Sequence, residues 1–270
     1  MTVHAGISGS SGRMGRMLVQ MIGERDDIVV ASASEHSSSD AIGRDAGEVA
    51  GTGTLGVTVV DSAEALFSSC DVVIDFSSPA ATVANARVAA ATGKGLVAGT
   101  TGLDAAARAV IAEASRTAPV VSAGNMSLGV NLLLGITRKV AEALDEEFDI
   151  EVVETHHRHK VDAPSGTALM LAEAAAKGRG VALDEVADRG RDGITGARRR
   201  GAIGMAAMRG GDVVGEHQVM FLAPGERIEI GHRASDRIIF VRGAITAALW
   251  LNKRPAGLYG MEDVLGLTGD

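Results

Sequence analysis

Short apolar runs alternate with segments of helical spacing over the first 125 residues of the chain. Between the first two runs, for example, Met17, Leu18, Met21 and Ile22 recur at the spacing of one helix face. An alternation of strands and helices is the pattern of a doubly wound parallel sheet, in which helices cover both faces. The predicted strands lie at residues 3–8, 28–34, 57–60, 71–76, 95–99 and from residue 120 onward.

The hydrophobic pattern changes after Asn125 and predicts a second domain of the α+β class, so we expect the domain boundary near residues 125–130. A strand of near-alternating polarity is predicted at residues 148–155. Further strands, which suit a mixed or antiparallel sheet, are predicted at residues 205–209, 213–221, 227–232 and 238–241. Helices are predicted at residues 128–144, 164–177, 244–251 and 258–265, and an exposed loop at residues 187–204.

Composition and charge narrow the class of protein. Hydrophobic residues make up 46% of the chain and charged residues 22%, so the chain can bury a sizeable core. The net charge of −8 opposes general nucleic-acid binding, and no apolar run is long enough to span a bilayer. The single cysteine, Cys70, excludes an intramolecular disulfide framework and suits a reducing compartment. We therefore expect a cytoplasmic protein that binds neither nucleic acid nor membrane.

A glycine-rich turn separates the first predicted strand from the first predicted helix. Gly9, Gly12 and Gly15 would let the backbone approach a pyrophosphate at the start of that helix. Glu35 ends the second predicted strand, where a carboxylate commonly holds a ribose hydroxyl. Ser11 stands where a second glycine often lies, and a tight turn without a ligand is the alternative. The complete arrangement favours a Rossmann-type domain that binds a dinucleotide.

The residues beside this turn leave the choice of dinucleotide open. Arg13 is either a solvated charge in the first helical turn or a phosphate contact. His36 follows Glu35, and a neutral imidazole is a weak partner for a 2′-phosphate, whereas an arginine there would favour NADP. Small polar turns at residues 99–102 and 123–126 follow two later strands and suit close approach to a nicotinamide ring, although either alone is also compatible with an ordinary loop.

Residues 154–167 contain the densest group of reactive side chains in the chain. Three histidines, an arginine and a lysine occupy positions 156–160. Histidine is the usual group for proton transfer near neutral pH, and a nearby lysine can donate a proton or hold a carboxylate. The Ser-Gly-Thr sequence at residues 165–167 opens a predicted helix, whose backbone N–H groups would face an anion. The stretch indicates a site for an anionic substrate that must be protonated.

Two other interpretations of this basic stretch are disfavoured. A zinc site is disfavoured because His156, His157 and His159 lack the i, i+4 spacing of a helical metal site, and Cys70 is distant in sequence. A solvated basic patch is a second alternative, but it does not account for the anion-binding helix start directly downstream. We therefore expect no metal at this site.

Segment 154–168, which reads ETHHRHKVDAPSGTA, resembles the signature of the dihydrodipicolinate reductase family, also called 4-hydroxy-tetrahydrodipicolinate reductase. The resemblance covers nearly the whole chain. In order along the chain, the other segments that resemble this family are DVVIDFS (71–77), GTTG (99–102), NMSLGVN (125–131), GGDVVGEH (210–217) and GERIEI (225–230).

The resemblance implies NADH- or NADPH-dependent reduction of 4-hydroxy-tetrahydrodipicolinate to tetrahydrodipicolinate, on the diaminopimelate route to lysine. His156 then corresponds to the proton donor or acceptor and Lys160 to a proton donor. His157 corresponds to a substrate contact, and Gly166 with Thr167 to the turn that binds a substrate carboxylate. The implied cofactor contacts are Gly9, Ser10, Ser11, Gly12, Arg13, Met14, Glu35, His36, Gly99, Thr100, Thr101, Ala123, Gly124, Asn125 and Met126.

The resemblance also implies a separate function for each of the two domains. Residues 1–127, joined by a returning segment at residues 242–270, would bind the dinucleotide. Residues 128–241 would bind the dicarboxylate substrate and assemble a homotetramer through their sheet. Two alternatives remain: another two-domain dehydrogenase that acts on an amino-acid semialdehyde or a sugar, and a protein that senses NAD(P)H without turnover.

Overall fold

A computed structural model describes residues 2–268 of the chain, which divide into two units. The first unit contains the residues up to Ser127 and those from Ile238 onward, and the second is Leu128–Arg237. In chain order the strands are β1 (Val3–Ser8), β2 (Ile28–Ser34), β3 (Val59–Val60), β4 (Val72–Asp75), β5 (Gly95–Ala98), β6 (Pro119–Ser122), β7 (Asp149–His156), β8 (Ala187–Asp188), β9 (Ile203–Arg209), β10 (Gly215–Ala223), β11 (Glu226–Ala234) and β12 (Gly257–Tyr259). The helices are α1 (Arg13–Gly23), α2 (Ala46–Ala50), α3 (Ala63–Ser68), α4 (Pro79–Thr92), α5 (Ala105–Ala114), α6 (Leu128–Ala143), α7 (Gly166–Gly178), α8 (Leu183–Val186), α9 (Ile238–Leu251) and α10 (Met261–Val264).

The first unit contains a seven-stranded parallel sheet in the order β12-β6-β5-β4-β1-β2-β3. Strands β4 and β5 are buried along their whole length, as expected for strands covered on both faces. Small residues such as Ala86 and Ala89 of α4 lie in the same apolar core as Leu96 of β5, because alanine lets a helix approach a sheet closely. This is the predicted doubly wound architecture, and the strand order reverses beside β1, where the carboxyl ends of β1 and β4 leave a crevice.

The second unit contains a five-stranded mixed sheet in the order β11-β10-β7-β9-β8. Strand β10 pairs antiparallel with β11 and β7, whereas β9 pairs parallel with β7 and β8. Burial alternates along β7, since Ile150 and Val152 face a core that includes Leu171 of α7 and Leu134 of α6. The second sheet therefore has one face covered by helices, and the prediction of an α+β domain with a mixed sheet is confirmed.

One prediction near the C-terminus is wrong and a second is correct only in part. Residues 238–241, predicted as a strand, form the first turn of α9, which continues through Arg242 and Gly243 into the apolar residues 244–251. The segment that belongs to the first unit consequently begins at Ile238, ahead of the expected residue 242. The helix predicted at residues 258–265 is divided into β12 and α10 by Gly260.

No helix within residues 2–268 combines the length and the apolarity that crossing a bilayer requires.

Candidate active site

The turn between β1 and α1 has a geometry that only glycine satisfies at two positions. Gly9 has a φ of +77°, in the left-handed region that side chains disfavour. At Gly15, which lies in the first turns of α1, an added Cβ would lie 2.1 Å from the carbonyl oxygen of Gly9. The close contact of this helix with the turn therefore depends on the missing side chain, as the sequence predicts for a dinucleotide-binding turn.

The same turn offers hydrogen-bond donors to an anion. Gly12 is the N-cap of α1 and supplies no side-chain cap, so the first N–H groups of the helix are left for another acceptor. The buried hydroxyl of Ser10 has no hydrogen-bond partner within residues 2–268. An uncapped helix start, an unpaired hydroxyl and room for close backbone approach fit a pyrophosphate, which the partial positive charge of the helix end would stabilise.

Glu35, at the end of β2, is tied directly to this turn. The backbone N–H and the hydroxyl of Ser11 donate to Glu35 Oε2 over 3.0 and 2.6 Å, and the N–H of His36 donates to Oε1 over 3.0 Å. Burial raises the pKa of Glu35, but these hydrogen bonds outweigh it and leave the pKa below its ordinary value. Glu35 is therefore ionised near pH 7, and Ser11, the departure from the glycine pattern, orients it.

A cavity of about 310 Å³ lies at the carboxyl ends of the strands of the first unit. The residues that line it are Met14, Phe76, Ser77, Gly99, Thr100, Thr101, Gly124, Asn125, Met126 and Phe240. Gly99 packs against the ring of Phe76, where an added Cβ would lie 2.5 Å from Cε1. The cavity thus combines aromatic and thioether walls with small polar turns, which suits a flat ring that carries an amide.

Most of the nicotinamide-side residues named from the sequence come together in this cavity, whereas Ala123 is not among its lining residues. Sequence reasoning missed Phe76, Ser77 and Phe240. Phe76 and Ser77 directly follow β4, so their place at the carboxyl end of a parallel strand was a usable signal. Phe240 lies on α9, far along the chain from the other lining residues, and its sequence carries no mark of this location.

A buried carboxylate beneath the cavity holds two of its turns. Asp75, at the end of β4, accepts hydrogen bonds from the N–H and hydroxyl of Ser77 and from the hydroxyl of Thr100. The amide of Asn85 on α4 donates to the other oxygen of Asp75 over 3.1 Å and to the hydroxyl of Ser8 over 2.9 Å. These bonds connect the ends of β1, β4 and β5, and so they fix the shape of the cavity.

The second unit builds a separate cluster around Glu154 and His156 on β7, both of which are buried. Nδ1 of His156 lies 2.6 Å from Glu154 Oε2. Arg209, at the end of β9, donates to both oxygens of Glu154 over 2.8 Å, and the N–H of Ser165 donates to Oε1 over 3.0 Å. Burial raises the pKa of Glu154, but the hydrogen bonds from Arg209, His156 and Ser165 together lower it below its ordinary value.

His217 on β10 completes this cluster. Its Nε2 lies 3.1 Å from the hydroxyl of Ser165, and its ring meets the ring of His156 edge-on, with centroids 5.1 Å apart. Burial, and secondly the neighbouring His156, lower the pKa of His217 to about 4, so it is neutral near pH 7. His217 ends the GGDVVGEH segment, but sequence reasoning assigned it no role.

The remaining residues of the basic stretch occupy the loop between β7 and α7. The ammonium of Lys160 pairs with the carboxylate of Asp162 over 2.8 and 3.0 Å. Nδ1 of His157 is buried and has no hydrogen-bond partner among the described residues. Gly166 and Thr167 form the first turn of α7, which Ser165 caps by accepting from the N–H of Ala168. No group of acidic, histidine or cysteine side chains in residues 2–268 is arranged to hold a metal ion.

Both parts of the chain match family models. The model described as "Dihydrodipicolinate reductase, N-terminus" matches residues 3–126, and "Dihydrodipicolinate reductase, C-terminus" matches residues 129–265. A protein of Ruegeria pomeroyi named 4-hydroxy-tetrahydrodipicolinate reductase is 59% identical over 261 residues, which is 97% of each chain. A protein of the same name from Bradyrhizobium diazoefficiens is 52% identical over 262 residues, again 97% of each chain.

Solved structures resemble the fold at lower sequence identity. A dipicolinate-bound dihydrodipicolinate reductase from Paenisporosarcina sp. TG-14 gives a TM-score of 0.76 at 21% identity and covers 96% of this chain and 98% of its own. An amine dehydrogenase from Mycobacterium smegmatis gives a TM-score of 0.61 at 12% identity and covers 97% of this chain and 96% of its own. At these identities the two structures show the shared fold alone.

Proposed function

Because this chain belongs to the dihydrodipicolinate reductase family, we propose that it reduces 4-hydroxy-tetrahydrodipicolinate to tetrahydrodipicolinate in the diaminopimelate route to lysine. The substrate, one NADH or NADPH and one proton give the product, the oxidised cofactor and one water. The reaction therefore requires a site that binds a dinucleotide, a site that binds a dicarboxylate, and a proton donor.

One observation supports the catalytic assignment most directly: His156 and the start of α7 share a single carboxylate. Glu154 accepts from Nδ1 of His156 with one oxygen and from the N–H of Ser165 with the other. The proposed proton donor and the proposed carboxylate-binding turn, Gly166 with Thr167, are therefore held in a fixed relation. This is the arrangement needed to protonate a bound anion at one defined atom.

The cofactor-binding residues of the first unit fit a nicotinamide dinucleotide. When it is bound, the reduced nicotinamide supplies the hydride. The turn from Gly9 to Met14 would hold the pyrophosphate, and Glu35 would accept hydrogen bonds from the adenosine ribose. The cavity beside Phe76 and Phe240 would exclude water from the ring.

The polar residues of the second unit would bind and protonate the substrate. His156 and Lys160 are the proposed proton donors, and their transfer would balance the charge that develops as the substrate is reduced. His157, whose buried Nδ1 has no partner within residues 2–268, and the Gly166–Thr167 turn would bind the substrate carboxylates. Arg158, in the same loop, is a further candidate for neutralising them.

We also propose that the chain forms a homotetramer in the cytoplasm. Among the described residues, one face of the five-stranded sheet lacks a helical cover, and half-exposed or exposed apolar residues lie on it, including Val153, Met208 and Met220. Such a face is stabilised when another copy covers it. A cytoplasmic location is consistent with the single, buried and reduced Cys70, and fractionation of the source cells tests it.

The activity is tested by following the absorbance of NADH or NADPH. The substrate is made fresh from pyruvate and aspartate semialdehyde by the preceding synthase. Oxidation that depends on the synthase product supports the proposed reaction, and the ratio of the two rates gives the cofactor preference. Cofactor binding without oxidation would contradict the proposed reaction and favour a sensor, whereas oxidation with a semialdehyde or sugar alone would favour another dehydrogenase.

A further inference from the structure

Glu154 is a buried carboxylate that joins three elements of the second unit. It lies on β7 with none of its side-chain surface exposed, and its donors come from β7, from β9 and from the N-cap of α7. A buried charge is tolerated only when such donors surround it, and an apolar residue of similar volume often packs equally well. Packing alone therefore does not explain a carboxylate at this position.

The contact between Glu154 and His156 determines which ring nitrogen is available for chemistry. An ionised carboxylate only accepts hydrogen bonds, so His156 Nδ1, 2.6 Å from Oε2, must carry a hydrogen and donate it. Nε2 is then the atom left for proton exchange. Gly215 leaves space beside it, since a Cβ at that residue would lie 3.0 Å from Nε2.

Charged and titratable side chains lie near His156 on several neighbouring elements. Arg209 on β9 pairs with both oxygens of Glu154, and His217 on β10 is neutral near pH 7 because burial lowers its pKa. Lys160, in the loop after β7, and His232 on β11 also interact electrostatically with His217. Glu154 is thus the anion that directly contacts the His156 ring, and it opposes the surrounding positive charges.

We propose that Glu154 is the positioning residue for proton transfer: it orients His156 through Nδ1 and stabilises the positively charged ring until the proton leaves. This inference rests on the proposed function, in which His156 protonates the substrate. The N–H bond at Nε2 breaks, its electron pair stays on the nitrogen, and the proton joins the substrate atom that becomes electron-rich as the hydride arrives. Nδ1–H stays bonded to Glu154, which does not accept the proton.

The decisive variant is Glu154→Gln, which keeps the shape of the side chain and an oxygen for the Ser165 N–H. It removes the negative charge and leaves Arg209 unneutralised beside the ring. We expect kcat to fall about 100-fold or more, with a much smaller change in KM for the substrate. We also expect the alkaline limb of the kcat–pH profile to move to lower pH by about one unit, because the charged ring loses its counter-ion.

Glu151→Gln is the matched control. Glu151 lies on the same strand, on the opposite face of the sheet, and also pairs with two arginines, Arg191 and Arg198. Its substitution should leave the kcat–pH profile in place even if stability changes. A fall in kcat for Glu154→Gln with an unmoved alkaline limb would show a purely structural role and would overturn the proposal.

A second measurement does not depend on whether Glu154→Gln folds. Spectra of the wild-type protein labelled with ¹⁵N at histidine report the tautomer of each neutral ring. We expect His156, identified by comparison with His156→Gln, to carry its hydrogen on Nδ1 when the ring is neutral. A hydrogen on Nε2 instead would overturn the proposal in the native protein.

The same variants separate this inference from the proposed function. If His156→Gln retains full kcat, the assignment of His156 as proton donor fails, and the role of Glu154 fails with it. If His156→Gln loses activity while Glu154→Gln keeps the wild-type rate and pH profile, the proposed function stands and the inference about Glu154 fails. Rapid reduction by the wild-type protein is the reference for both comparisons.

Discussion

The space around Nε2 of His156 is small, and a substitution at Gly215 tests whether this space matters for catalysis. A Cβ at residue 215 would lie 3.0 Å from Nε2 of His156, a contact tighter than ordinary packing allows. We expect Gly215→Ala to lower kcat about tenfold or more, because small displacements of a reacting group are costly. Steady-state kinetics would measure this, with Gly210→Ala as control, since a Cβ there meets nothing within 4 Å. Equal kcat values for the two variants would contradict a role for Nε2.

The low pKa of His217 predicts how stability depends on pH. Because the folded protein holds this pKa at about 4 against an ordinary value of 6.5, the unfolded chain takes up the proton first as pH falls. The contribution of neutral His217 to the free energy of unfolding is fully present above pH 6.5. About 3 kcal/mol of that free energy is lost as the pH falls from 6.5 to 4. We expect His217→Asn to reduce the loss of Tm over this range, measured by calorimetry. The control is His4→Asn, at an exposed histidine, and an equal slope in both variants would contradict the prediction.

At the scale of residues, the sequence indicates candidate reactive groups but not the partners that hold them. His156, Lys160, Gly166 and Thr167 stand within one short stretch, so residue type and spacing alone indicate their shared chemistry. The pairing of Glu154 with Arg209 depends on the parallel register of β7 and β9. In this register Glu154 lies opposite Ala207, two residues before Arg209. Local sequence carries no information about a register between strands so far apart along the chain.

In the proposed function, cofactor binding depends most on the start of α1. Gly15→Ala would place a methyl group 2.1 Å from the carbonyl oxygen of Gly9, so the helix or the turn must move. We expect the Kd for NADH to rise about tenfold or more, because the helix N–H groups would no longer converge on the pyrophosphate. Calorimetric titration measures the affinity. Gly23→Ala, at the other end of α1 with open space around its Cβ, should bind NADH as the wild type does; weakening in both variants would contradict this reasoning.

Element type is predictable where the apolar pattern is long and uncertain where it is short. The β–α alternation of the first unit and the strand β7 are predicted correctly because each has a clear period. Residues 238–241 are four consecutive apolar or aromatic residues, which fit a strand and a helix equally well, and the structure places them in α9. The same error concealed the place of Phe240, because a strand assigned to the second unit gives no indication of the cavity in the first unit that this residue lines.

At the scale of the whole molecule, the proposed tetramer rests on the face of the second sheet that no helix in the described part of the chain covers. Met208 on β9 is 53% exposed on this face, so a charge there would oppose burial against another copy. We expect Met208→Glu to give a smaller oligomer than the wild type, as measured by light scattering after size-exclusion chromatography. Leu258→Glu is the control, because Leu258 is 52% exposed but lies on β12 of the first unit. Unchanged mass in Met208→Glu, or a monomeric wild type, would contradict the proposed tetramer.

The position of β12 has a consequence for how the chain is made. The second unit is one continuous segment, whereas the first is interrupted after Ser127 and resumes at Ile238. The edge of the first sheet is closed only when β12 pairs with β6, so that Leu258 joins Val120 across more than half of the chain. Contacts between such distant residues form late, and domains emerge from the ribosome in order of synthesis. The inserted unit can therefore fold on the ribosome before the domain that surrounds it, and a nascent chain that has left the exit tunnel as far as residue 240 would carry a folded second unit while its first unit is unfinished.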